Sequence, residues 1–99
     1  MATKEHVIKY LNDALKEHPK TVNSQWYVGI AKDAKDRLFD DHHVDKNYGA
    51  WAHSTADSDT IARSVEKHFL DAGCEGGSGG GDSATKTVYV YLKSAKTDP

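Results

Sequence analysis

Six side chains of this 99-residue chain are of types that could take part in anion, metal or acid–base chemistry. Tyr27 lies in Gln25-Trp26-Tyr27-Val28-Gly29-Ile30-Ala31, and Arg37 follows it by ten positions. A guanidinium can bridge two phosphate oxygens. Glu66, in Ile61-Ala62-Arg63-Ser64-Val65-Glu66-Lys67, borders an apolar helical stripe between Ala62 and Leu70, an odd place for a merely solvated glutamate. A carboxylate there offers oxygen donors to a hard cation such as Mg²⁺ or Mn²⁺. His42 suits an accessory acid or base. Tyr89 and Tyr91 alternate with valines in Thr87-Val88-Tyr89-Val90-Tyr91-Leu92-Lys93. Ordinary readings stay open beside these. Tyrosines favour strands for packing alone, Arg37 can be a solvated arginine paired with Asp33 or Asp41, and Glu66 can serve a surface pair with Arg63 or Lys67.

The elements that must hold these residues follow from periodicity and caps. Thr3 caps a predicted helix over about residues 4–17, where Val7, Tyr10, Leu11, Ala14 and Leu15 recur at helical spacing, and His18-Pro19 ends it. Residues 26–31 alternate as a strand that turns Trp26, Val28 and Ile30 to a core and Tyr27, Gly29 and Ala31 to the other side. Asp33 caps a predicted helix over about 34–42, with Ala34, Leu38 and Phe39 as its apolar stripe. A short strand is expected over 50–54. Asp57 or Ser58 then caps a helix over about 59–72 that Gly73 closes. The segment 73–83 is glycine-rich and reads as a loop, and 87–93 is a strictly alternating strand with Tyr89 and Tyr91 on one face. Helix, strand, helix, strand, helix, strand predicts a single α+β domain over 1–99, a small three-stranded, mostly antiparallel sheet packed by three helices.

Tyr27-Val28-Gly29, Arg37 ten positions on, and Glu66 on a later helix together resemble the second half of the GIY-YIG nuclease motif. The resemblance covers about residues 26–73. It implies a metal-dependent endonuclease domain that hydrolyses nucleic-acid phosphodiesters. Under it Glu66 is the ligand of one Mg²⁺ or Mn²⁺, Arg37 the phosphate contact, and Tyr27 a base or positioning group for the attacking water. Three features depart from the family pattern. Ala14-Leu15-Lys16-Glu17 stands where a Gly-Ile-Tyr strand belongs, Asp41 holds the place of a histidine four past the arginine with His42 one later, and no asparagine follows Glu66. If 87–93 pairs beside 26–31 it takes the place of the missing strand in a permuted sheet. Tyr89 or Tyr91 then supplies the missing tyrosine.

Composition narrows the alternatives. A formal net charge of −2 and a pI near 6.3 lack the cationic surplus common in nucleic-acid binders, although a few cations can gather on one face. The histidines His42, His43, His53 and His68 match no tetrahedral zinc spacing, and the glycines precede a strand rather than open a helix, unlike a P-loop. No apolar run nears the roughly 20 residues of a membrane span. The start of the chain lacks a signal peptide's apolar stretch, and one cysteine, Cys74, suits a reducing compartment, so a cytoplasmic location without a membrane partner is expected. The expected partner is nucleic acid, DNA first. The alternative is a catalytically degenerate interaction module that binds nucleic acid or protein, including a protein held on the aromatic face of Tyr27, Tyr89 and Tyr91.

Overall fold

Alternating residues build three short strands in the computed structural model, which describes residues 3–45, 49–76, 85–94 and 97. β1 (Trp26–Ala31), β2 (Trp51–Thr55) and β3 (Thr87–Leu92) form one antiparallel sheet in the order β1-β3-β2, so the last strand of the chain is the central one. Across β1 and β3, Tyr27 faces Tyr91 and Gly29 faces Tyr89; across β2 and β3, Trp51 faces Tyr91 and His53 faces Tyr89. Because side chains alternate along each strand, one sheet face carries three rows: Tyr27–Tyr91–Trp51, Gly29–Tyr89–His53 and Ala31–Thr87–Thr55. The opposite face carries Trp26, Val28, Ile30, Val88 and Val90.

That opposite face is closed by α1 (Lys4–Lys16) and α2 (Asp59–Asp71). Val7 and Leu11 of α1 and Ala62, Val65 and Phe69 of α2 join it in one buried cluster. Both helices start as their sequences require. Thr3 Oγ1 accepts from His6 N at 3.3 Å, and Ser58 Oγ accepts from Ile61 N at 3.1 Å. Gly73, with φ +110°, takes the left-handed conformation that ends α2 beyond Ala72. Cys74–Gly76 then runs beside the outer edge of β1, where Val28 N donates to Glu75 O at 2.8 Å and Glu75 N to Trp26 O at 2.9 Å. This short parallel bridge covers a row of backbone groups that would otherwise stand unpaired at a sheet edge. Of the glycine-rich segment, 77–83 lies outside the described residues.

The predicted helix over 34–42 differs from the structure. Asp33 does cap it, its Oδ1 accepting from Lys35 N at 3.1 Å and Asp36 N at 3.3 Å, but Asp36–Asp41 winds as a π-helical turn. His42 N closes it on Arg37 O at 2.9 Å, five residues back. This turn and its flanks place Ala34, Leu38, Phe39 and Val44 over the second face of the sheet. The expectation of an aromatic face open to a protein partner is thereby corrected, since Tyr89 and Tyr91 are 1% and 0% exposed. No helix among the described residues is long and apolar enough to cross a membrane.

Phe69 is a large, fully buried side chain that ties α2 to the sheet. Phe69→Ala should cost about 3–5 kcal/mol of unfolding free energy in urea denaturation. A loss below about 1 kcal/mol would mean that α2 does not close this face.

Candidate functional site

The central strand puts Tyr89 and Tyr91 side by side on the covered face, and the π-helical turn drops one histidine onto both. His42 Nε2 lies 2.8 Å from the Tyr89 hydroxyl and His42 Nδ1 lies 3.2 Å from the Tyr91 hydroxyl. The imidazole is 4% exposed. A ring nitrogen of His42 thus meets each hydroxyl, and which nitrogen donates depends on the tautomer. Tyr27 completes the cluster, its ring stacked on Tyr91 at 5.2 Å and tilted against His42 at 4.9 Å.

The π turn sends two neighbouring side chains in opposite directions. Arg37 and Asp41 pair at the i,i+4 spacing, Nε to Oδ2 at 3.0 Å, while the wider winding carries the next residue, His42, inward to the tyrosines. The following residue, His43, has φ +57°, a left-handed backbone that costs an L-residue roughly 1–2 kcal/mol. Local backbone strain of this kind persists where the surrounding structure over-determines it.

Gly29 gives the cluster room. The Tyr89 ring crosses directly over it, so that a Cβ at position 29 would overlap Cζ and the hydroxyl of Tyr89. By lying across β1, the ring carries its hydroxyl among groups from several elements. Desolvation pushes the Tyr89 phenol up to about 12; the Arg37 charge lowers it, and Tyr27, Glu66 and Asp41 raise it. Tyr27, His42, Tyr89 and Tyr91 are thus joined by hydrogen bonds and ring contacts, Arg37 stands on the π turn that leads into His42, and Glu66 lies on α2.

Glu66 is 8% exposed and lies among the buried residues of α2, which packs along β1. Burial raises its carboxyl above the ordinary range, and Arg63 pulls it back only in part. Arg63 is also within 3.7 Å of Asp59. Among the described residues no group of three or more His, Cys, Asp or Glu could hold a metal.

Sequence reasoning missed two contributors. Gly29 is needed for space rather than for backbone freedom, which only the register of β1 on β3 reveals. His53, beside Tyr89 in the second row and stacked on Trp51 at 5.9 Å, was signalled by the alternation of β2. Burial and Lys35 lower the His53 pKa, while Asp33 raises it. A separate cleft of about 210 Å³, lined by Glu17, His18, Trp26 and Trp51 among others, opens between the end of α1 and the start of β2 and includes neither Arg37 nor Glu66.

No protein-family model, curated protein or solved structure matches this chain.

Two outcomes follow from the crossing of Tyr89 over Gly29. Gly29→Ala should destabilise the fold by about 1–3 kcal/mol in denaturant titration, because the new methyl must displace the Tyr89 ring. Tyr89 itself favours its neutral form in the fold. Its contribution is present below the ordinary tyrosine pKa of about 10 and is lost as pH rises towards about 12, a decline of up to about 2.5 kcal/mol. Phenolate absorbance should show Tyr89 ionising well above pH 10, together with that decline. Five tyrosines ionising together near pH 10 would contradict it.

Proposed function

We propose that this chain is a GIY-YIG-like, metal-dependent endonuclease domain that hydrolyses nucleic-acid phosphodiesters, with β3 in the place of the family's first strand. The observation that carries the reading is the cluster of Tyr27, Tyr89 and Tyr91 around His42, with Arg37 half-exposed on the turn that delivers His42. The topology supports it too, because β3 is central and antiparallel to β1 as a permuted sheet requires.

Each residue then has a role set by its surroundings. Arg37, with a side chain 49% exposed, meets the non-bridging phosphate oxygens from solvent. Tyr27, half-buried at the margin of the cluster, orients the attacking water. Tyr89 keeps its proton at neutral pH, so it positions by hydrogen bonding instead of acting as a base. His42, itself bonded to the Tyr91 hydroxyl, holds that hydroxyl from behind. Glu66 would hold Mg²⁺ or Mn²⁺, which supplies charge neutralisation at the phosphate oxygens. DNA is the first substrate to test.

A second reading, a degenerate module that binds nucleic acid or a protein without cleaving, is favoured by the burial of Tyr89 and Tyr91 and by the sparse donor set around Glu66.

Cleavage of plasmid and short duplex DNA, with and without Mg²⁺ or Mn²⁺, separates the two. The endonuclease reading expects metal-dependent cleavage that Arg37→Ala and Glu66→Gln each reduce by about 100-fold or more. Glu66→Gln should also melt at a higher temperature at neutral pH. The raised carboxyl contributes stability that is present below the ordinary glutamate pKa and lost as pH rises through its folded value, and an amide of the same shape removes that loss. Binding without cleavage supports the module, and cleavage retained by both variants overturns the assignment of the site.

A further inference from the structure

Asp36–Asp41 places three acidic side chains beside the one arginine assigned to a phosphate, an arrangement that opposes anion binding unless one of them has a task. Only Asp41 is drawn onto Arg37, its Oδ2 at 3.0 Å from Nε. Both side chains are about half exposed, at 49% and 58%, and an exposed i,i+4 pair contributes little to stability, about 0.3–0.5 kcal/mol.

Two adjacent residues close the arrangement from opposite sides. Asp41 reaches outward to Arg37 while His42 reaches inward to Tyr89 and Tyr91, and the peptide between them is fastened by the bond from His42 N to Arg37 O at 2.9 Å. The position of Arg37 is thus referred to the same dipeptide that fixes the Tyr89 hydroxyl. A guanidinium carries five N–H donors in a rigid plane, and a carboxylate at its Nε edge engages at most two of them. At least three remain for a planar approach to phosphate oxygens.

We propose that Asp41 is a positioning residue for phosphodiester cleavage, holding the Arg37 guanidinium by its Nε edge so that its remaining N–H groups face the scissile phosphate. This rests on the endonuclease reading above. Asp41 acts in two opposed ways. Its negative charge weakens ground-state attraction of the polyanion, while its grip removes the rotamer freedom that a long arginine would otherwise lose in the transition state. Removing the charge while keeping the shape should therefore lower KM and kcat together, a split that a solvated surface pair does not produce.

The test is steady-state cleavage of a labelled DNA duplex in Mn²⁺ by wild type, Asp41→Asn, Asp41→Glu and Arg37→Ala, alongside the arginine Nε–H signals of the metal-free protein in ¹⁵N NMR. Arg37 and Arg63 are the two arginines of the sequence, so the spectrum is simple. The expected result is a kcat about tenfold lower with a KM two- to fivefold lower in Asp41→Asn, partial recovery in Asp41→Glu, and a shifted, faster-exchanging Arg37 Nε–H in Asp41→Asn alone. With an active wild type, values within twofold in Asp41→Asn overturn the proposal, and so does a kcat that rises, which would make Asp41 a competitor of the phosphate. A wild type that does not cleave, or an Arg37→Ala variant that cleaves normally, instead defeats the endonuclease reading, and the role of Asp41 falls with it.

Discussion

The close passage of Tyr89 over Gly29 is the constraint on which the rest of the arrangement depends. A side chain at position 29 would hold the ring off β1. The hydroxyl would then lose the place where His42 meets it and where Arg37, Tyr27, Asp41 and Glu66 act on it. The close passage also needs β3 at the centre of the sheet, in the register that sets Tyr89 opposite Gly29. One missing Cβ, one register and one central strand thus specify where the cluster forms. The two helices on the far face supply the stability that holds it there.

Around that point the chain repeatedly departs from what stability alone would choose. Asp36–Asp41 widens to a π turn, His43 adopts a left-handed backbone, and Glu66 is buried where ionising it is costly. Each departure is small, on the order of 1–2 kcal/mol for the backbone strain. The first two lie in the segment that delivers His42 to the tyrosines, and the third lies on α2. Locally unfavourable choices that cluster in space mark functional sites in general. The opposite face is filled mainly by valines, alanines, Phe69 and Trp26.

Much of the fold is legible from periodicity. The strand limits of β1, the caps at Thr3, Asp33 and Ser58, and the glycine after α2 follow from local rules, because each depends on residues within a few positions of one another. The pairing of the C-terminal strand with β1 was foreseen as an option, since it alone could return tyrosines beside Tyr27. Three features were not legible. The π turn has the composition of an ordinary helix, and only the tertiary demand that His42 reach two tyrosines selects the extra residue. The burial of Tyr89 and Tyr91 depends on the 34–44 segment folding back over the sheet, which alternation within a strand does not encode. The spatial need for Gly29 appears only once the register is known. Residue type could single out Tyr27, His42, Tyr89 and Tyr91, but their meeting in one cluster is a property of the topology.

The most direct measurement of the central claim is an amide-proton NMR titration of the chain with Mn²⁺, for wild type and Glu66→Gln, before and after a short DNA duplex is added. A single site built on Tyr27, Arg37, Glu66 and Tyr89 predicts saturable paramagnetic broadening confined to these residues and their neighbours, tighter with DNA present and lost in the variant. Broadening spread over exposed acidic residues alone, or unchanged in Glu66→Gln, would contradict it.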